Sequence, residues 1–133
     1  MKKRRSTAGR SAKDICYPEG WLLMSEREIG IGDVKDALPE DSDVEIWRDA
    51  GVIEVVLGPK ASMDIETVDI GKCSDEAFDF LEKNEVKSLF YLSLRPEHYP
   101  LAEKYLKLLA DRLQCPICGD TEDLMPVIEP ETC

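Results

Sequence analysis

The chain has 133 residues and a net charge of −11 at pH 7, and 34% of its residues are charged. This length suits one domain with a single hydrophobic core. No apolar run approaches the ~20 residues needed to cross a bilayer, and no apolar stretch follows the basic residues near the N-terminus, as it would in a secretory signal. An odd number of unevenly spaced cysteines, five in all, argues against a disulfide framework. We therefore predict a cytoplasmic protein that does not bind membranes.

The charge is segregated along the chain. Residues 1–13 hold six basic residues and no acid, which leaves 11 basic against 28 acidic residues, a net charge of −17, in the rest. We interpret residues 1–13 as a basic flexible leader, residues 14–114 as an α+β domain, and residues 115–133 as a cysteine-containing C-terminal segment that packs on the domain or extends from it. An acidic domain attracts basic protein surfaces and repels phosphate backbones, so nucleic acid is expected to bind only through the leader.

The first half of the domain predicts one short helix among strands. Residues 21–24 are an apolar run typical of a buried strand. Residues 33–38 predict a short helix with Asp33 as its N-cap and Pro39 as its stop.

A three-strand meander is expected next. Residues 44–47 and 52–57 predict a hairpin around the turn at 49–51. Residues 63–70 alternate apolar and acidic side chains, which predicts a third strand at a sheet edge, where outward acids would discourage pairing with other chains.

The second half predicts two longer helices around one central strand. Ser74 is a good N-cap for the first helix, which ends near Asn84. Residues 86–94 are apolar enough for a central strand. The last helix begins at Pro96, and five residues form its predicted apolar stripe: Leu101, Tyr105, Leu108, Leu109 and Leu113. Residues 124–128 suit one more short strand.

This order of elements predicts an α+β fold. Three strands follow one another without an intervening helix, which favours an antiparallel sheet over an alternating α/β architecture. We predict a single compact domain in which a mostly antiparallel sheet of about five strands carries two main helices on one face.

The cysteines near the C-terminus suggest a metal site. Cys115 and Cys118 have the C-x-x-C spacing of a zinc knuckle, and Gly119 would let backbone amides turn toward the sulfurs. Cys133 is the candidate third ligand. Structural zinc usually takes four ligands, and the fourth would come from a second copy of the chain or from one of three residues: Cys16, Cys73 or His98.

Two other interpretations of these cysteines stay open. They could be inert reduced thiols in the loop after the last helix. They could also be a redox pair, although such a pair normally opens a helix, whose N-terminus stabilises the thiolate, and this one follows a helix.

No catalytic set is recognisable from the residue types and their spacing. His98 is the only histidine, and carboxylates are too numerous for a catalytic pair to be singled out. Trp21 and Trp47 are predicted to lie in the core, and either would be an interface anchor if exposed.

The sequence therefore favours a small acidic, non-enzymatic interaction protein that binds a basic partner, as inhibitors and toxin-neutralising immunity proteins do. The alternatives are a zinc-stabilised α+β module and a small enzyme with an unidentified site.

Overall fold

An antiparallel sheet of seven strands, counted over the residues that the structure describes, is the framework of the molecule. The structure is a computed structural model, and it describes residues 18–121, 124 and 127–129. The strands are β1 (Gly20–Ser25), β2 (Val44–Trp47), β3 (Val52–Gly58), β4 (Ala61–Val68), β5 (Ser88–Ser93), β6 (Ile117–Gly119) and β7 (Val127–Ile128). Their order across the sheet is β2-β3-β4-β5-β1-β6-β7, and each neighbouring pair is antiparallel.

The α-helices in this part of the chain are α1 (Ile31–Ala37), α2 (Asp75–Lys83) and α3 (Tyr99–Leu113). Short 3-10 turns at Ile70–Lys72 and Pro96–His98 precede α2 and α3. None of the described helices has the length and apolarity to cross a membrane. The predicted basic leader, residues 1–13, lies outside the described residues.

The predicted mixed α+β fold with an antiparallel sheet is confirmed, but the sheet has seven strands rather than about five. The additional strands are β6 and β7. β6 has only three residues, too few to show an alternating pattern, and it joins the sheet through its pairing with β1. β7 lies in the short strand expected at residues 124–128.

The two faces of the sheet bury different side chains, because neighbouring residues of a strand point to opposite sides. On β1, Trp21 and Leu23 join the main core, whereas Leu22 and Met24 face the other way. We call the side of the main core the inner face and the opposite side the outer face. Helices α1 and α3 cover the inner face.

Helix α2 lies on the outer face. Its buried residue Leu81 packs with Met24 of β1 and Leu89 of β5. Both strand residues point to the outer face, because their neighbours Leu23 and Phe90 lie in the main core. The prediction that the two main helices pack on one face is therefore wrong. Each helix is amphipathic, and the sequence pattern of a helix does not say which face of the sheet it covers.

The apolar stripe of α3 has a different phase from the predicted one. Leu101 was expected to begin the stripe but is 46% exposed. The buried residues follow spacings of three and four from the first residue of the helix: Tyr99, Ala102, Leu106, Leu109, Ala110 and Leu113. Tyr99 fixes this phase, because its ring stacks on Trp21 with the ring centroids 5.4 Å apart.

Two further local predictions are corrected. Strand β4 is not at a sheet edge, because it lies between β3 and β5. Helix α1 begins after Gly30 rather than at Asp33. The Asp33 carboxylate instead accepts a hydrogen bond from the backbone N–H of Gly30 at 2.8 Å.

Several sequence signals act as expected. The Ser74 hydroxyl caps α2 by accepting a hydrogen bond from the N–H of Ala77 at 3.2 Å. Asn84 ends the same helix. The β2–β3 turn contains Gly51 at φ +68°, a conformation that L side chains rarely adopt, so glycine suits this position.

The shifted phase of α3 predicts different costs for two leucines. Leu106→Ala removes a fully buried side chain and should lower the free energy of unfolding by about 2–5 kcal/mol. Leu101→Ala, on the same helix, should change it by no more than about 0.5 kcal/mol. Urea denaturation of both variants measures the difference. Equal costs would contradict this phase of the helix.

Candidate functional site

The acids of the three-strand meander meet in one row on the outer face. Glu45 of β2 lies directly opposite Glu54 of β3, and Glu54 lies directly opposite Asp64 of β4. Glu66 is two residues beyond Asp64 on β4, so it points to the same face. We call Glu45, Glu54, Asp64 and Glu66 the acidic row. Adjacent strands are about 4.8 Å apart, so the backbones that carry the first three acids are spaced at roughly that interval.

The acidic row takes part in no ion pair among the described residues. The ion pairs found there use other acids: Lys72–Asp69, Arg95–Glu97 and Lys107–Glu103. Like charges that face each other across neighbouring strands destabilise a sheet. The fold therefore keeps a repulsive arrangement without offsetting it by ion pairs within this part of the chain.

An exposed tryptophan borders the acidic row. Trp47 of β2 points to the outer face beside Glu45, and 47% of its surface is exposed. It lies opposite Val52, which in turn lies opposite Glu66. The core position predicted for Trp21 is confirmed, since it is fully buried, whereas the core position predicted for Trp47 is wrong. Exposed tryptophans are enriched among the residues that dominate interface energies.

Tyr91 of β5 continues the outer face from the acidic row toward the centre of the sheet. It lies directly opposite Glu66 on one side and Leu22 on the other. Burial, the charge of Asp120 and a hydrogen bond to that carboxylate raise the pKa of Tyr91 above its ordinary value, with smaller contributions from Glu19 and Glu66. The Tyr91 hydroxyl thus sits among several carboxylates.

The position of the Tyr91 ring depends on Gly20. A Cβ atom at Gly20 would lie 1.8 Å from the Tyr91 Oη atom. The Tyr91 ring can therefore lie over β1 at this position only because Gly20 has no side chain. The N–H of Asp120 donates to the carbonyl oxygen of the same Gly20 at 2.9 Å, which brings Asp120 beside the phenol.

Two cavities open on this part of the molecule. One is polar, has a volume of about 360 Å³, and is lined by Glu19 and Asp64 together with Lys60, Arg95 and His98. The other is a mainly apolar groove of about 610 Å³ between α2 and the outer face. Tyr91 lines both cavities.

The polar cavity contains the only histidine, but its imidazole is not held by a partner. His98 is half-buried, and its Nδ1 atom is buried without a hydrogen-bond partner among the described residues. A general base normally has a neighbouring group that orients it. The geometry therefore gives His98 no defined role in acid–base chemistry.

The structure places Cys115 and Cys118 on different sides of the sheet. Cys115 is buried in the main core, and its Sγ–H donates to the carbonyl oxygen of Leu113 at 3.0 Å. Cys118 is buried in the outer-face cluster, where burial and the charge of Glu129 raise the pKa of its thiol. Reactive or metal-bound cysteines are instead favoured as thiolates.

In the described part of the chain the remaining candidate ligands do not complete a site with these two, although Cys73 shares the outer-face cluster with Cys118. Cys73 is half-buried in the outer-face cluster, and His98 lines the polar cavity. Cys16 and Cys133 lie outside the described residues. Among the described residues, no group of three or more His, Cys, Asp or Glu side chains is arranged to hold a metal ion.

The zinc site therefore stays a prediction. Native mass spectrometry of protein purified without chelator tests it directly. One zinc per chain, lost when Cys115 or Cys118 is replaced by serine, would support a shared ion.

No protein-family model, curated protein or solved structure matches the chain. The function is therefore inferred from the outer face itself, on which the acidic row, Trp47 and the apolar groove lie together. The alternating pattern of β4 predicts that its acids share one face of the sheet. That they line up with the acids of β2 and β3 follows only from the pairing of the three strands, which the sequence does not show. The groove has no sequence signal, because residues distant along the chain line it.

Asp120→Asn is expected to lower the pKa of Tyr91 toward its ordinary value of about 10, because it removes the largest charge acting on the phenol. NMR titration of ¹³C-labelled tyrosine measures this shift. Since the folded-state pKa is raised, the contribution of Tyr91 to the free energy of unfolding is complete below about pH 10 and is lost as the pH rises through the folded-state pKa. Tyr91→Phe should therefore show a shallower loss of stability above that pH. An unchanged tyrosine titration in Asp120→Asn would contradict the contact.

Glu54→Gln should stabilise the protein, because Glu54 faces an acid on each neighbouring strand. We expect the free energy of unfolding to rise by about 0.5 kcal/mol at low salt, and the gain to shrink as salt screens the repulsion. The matched control is Glu103→Gln, which removes the same charge from an ion pair with Lys107 and should give no gain. Equal effects of the two variants would show that only net charge matters.

Proposed function

We propose that the protein is a non-enzymatic interaction protein whose acidic row binds a basic surface of another protein. Inhibitors and toxin-neutralising immunity proteins act in this way. The observation that carries the proposal is the cross-strand row of Glu45, Glu54 and Asp64, none of which forms an ion pair among the described residues. A basic partner would relieve this repulsion on binding, so part of the interaction energy is already stored in the free protein.

The charge of the whole chain supports the same partner class. Residues after position 13 carry a net charge of −17, which gives a negative field around the domain. Such a field accelerates association with a positively charged protein, and the acceleration falls steeply with salt. Anionic membranes and nucleic-acid backbones would instead be repelled by the acidic row.

The shape of the outer face also suits a protein partner. Strands β2, β3 and β4 are covered by α1 and α3 on the inner face, whereas their outward residues Glu45, Trp47, Asp64 and Glu66 are exposed. Trp47 would supply an apolar anchor at one end of the acidic row. Protein interfaces commonly combine such an aromatic anchor with a polar surround.

The acidic row can be tested with two triple variants of equal charge. The first neutralises it: Glu45→Gln, Glu54→Gln and Asp64→Asn. The second neutralises acids near α1 and α3: Asp36→Asn, Glu40→Gln and Glu103→Gln. A protein captured at low salt from extracts of the cells that make the chain is identified, purified and titrated against each variant by calorimetry.

The row variant should bind the purified partner about tenfold more weakly or worse, and its association rate should depend less on salt. The control variant should stay close to wild type. Equal losses in both variants would assign the binding to net charge alone. Failure of wild-type protein to bind any basic protein would refute the proposal.

A further inference from the structure

An apolar groove opens on the outer face between α2 and the sheet. It lies where α2 crosses the central strands, and it has a volume of about 610 Å³, within the range of ligand cavities. Seven of the residues that line it are apolar and come from the sheet and the helix: Leu22, Met24, Val68, Leu89, Ala77, Phe80 and Leu81.

Helix α2 buries one of its residues against the sheet beside the groove. Leu81 is the buried residue of this nine-residue helix. Phe80, the preceding residue, lines the groove but remains 40% exposed. A large aromatic side chain that lines an open apolar groove gains burial when a ligand covers it, at roughly 25 cal/mol per Å².

The charge around the groove is negative. Glu76 and Asp120 are among its lining residues, and no described lining residue is Lys, Arg or His. The raised pKa of Tyr91, which also lines the groove, reflects its burial and the carboxylates beside it, Asp120 above all. The groove is therefore expected to bind an apolar ligand that carries positive charge more tightly than a neutral or anionic one.

The groove is continuous with the acidic row. Tyr91 lines the groove and lies directly opposite Glu66, and Asp64 of the same strand lies opposite Ser93 on β5. Glu66 and Leu22 lie on either side of Tyr91 in the register of the sheet, so they are two strand spacings apart, about 10 Å. One partner segment can therefore cover both surfaces.

Resting on the proposed function, we propose that the groove binds an apolar side chain of the same basic partner. The partner segment is then amphipathic in sequence: lysine or arginine side chains contact the acidic row and Asp120, and a leucine-, phenylalanine- or tryptophan-type anchor enters between α2 and the sheet. The acidic row supplies fast, salt-dependent association, and the groove supplies discrimination among basic partners. The groove adds discrimination by the size and shape of an apolar side chain to the discrimination that the arrangement of charges provides.

The test uses two synthetic peptides of the same length and the same number of lysines. The first peptide has leucine and tryptophan at its apolar positions, and the second has serine and glutamine there. Titration calorimetry should show that wild-type protein binds the first peptide about tenfold more tightly. The tighter binding should have a more negative heat-capacity change, the signature of apolar burial.

Two phenylalanines of α2 provide a matched pair of variants. Phe80 lines the groove and is 40% exposed, whereas Phe78 does not line it and is 39% exposed. Phe80→Ala should reduce the preference for the apolar peptide to about threefold or less, and Phe78→Ala should leave it unchanged. Ala77→Leu, which narrows the groove with a good helix former, should also reduce the preference. The variant with the acidic row neutralised should bind both peptides more weakly while keeping the preference.

Each alternative outcome has a distinct meaning. Equal, salt-sensitive binding of both peptides to wild-type protein would overturn the groove proposal and leave the acidic row as the binding surface. Binding of the apolar peptide that ignores salt and the acidic-row variant would overturn the basic character of the ligand. A wild-type dimer that Phe80→Ala dissociates, measured by light scattering, would assign the groove to a second copy and overturn the proposal.

Discussion

The alternation of side chains along β1 is the constraint on which the rest of the structure depends. β1 lies between β5 and β6, and it sends Trp21 and Leu23 to the inner face and Leu22 and Met24 to the outer face. Because all four side chains are apolar, the centre of the sheet must be covered on both sides. Helices α1 and α3 meet this need on the inner face, and the shorter α2 meets it on the outer face.

The three strands of the meander, β2, β3 and β4, have a different requirement on the outer face. On β2, β3 and β4 the outward positions alternate between apolar residues such as Val52 and Val56 and the residues Glu45, Trp47, Glu54, Asp64 and Glu66. Among the outward residues of these strands, Val68 at the end of β4 packs with α2, whereas the acidic positions stay open to solvent, as a sheet with one polar face allows. The outer face is thus half covered and half open, and the acidic row lies on the open half.

Local chemistry could be predicted from the sequence, whereas long-range placement could not. Ser74 and Gly51 act through their immediate neighbours, so their roles as cap and turn residue follow from residue type. The acids of β4 also point outward as the alternation predicts, yet β4 is an internal strand. The sequence pattern of an edge strand and that of an internal strand with one open face are the same, and only the pairing with β5 separates them.

The cysteines illustrate the same limit in the candidate site. The C-x-x-C spacing predicts that Cys115 and Cys118 share one ion if the chain between them turns. Instead the chain enters the sheet at Ile117, and strand alternation places Cys118 on the outer face while Cys115 packs in the main core. A spacing motif defines which atoms can meet, but the pairing of three residues with β1 decides whether they do.

The junction between the acidic row and the groove depends on this pairing as well. β6 returns Asp120 to Gly20, where the absence of a Cβ lets the Tyr91 ring lie across β1. Tyr91 thereby carries a carboxylate neighbour on the groove side, Asp120, and another on the side of the acidic row, Glu66. Tyr91 lies at the boundary between the charged half and the apolar half of the outer face, with Glu66 of β4 on one side and Leu22 of β1 on the other. A partner that contacts both halves would therefore bind a rigid surface, and little ordering of the sheet would oppose the binding energy.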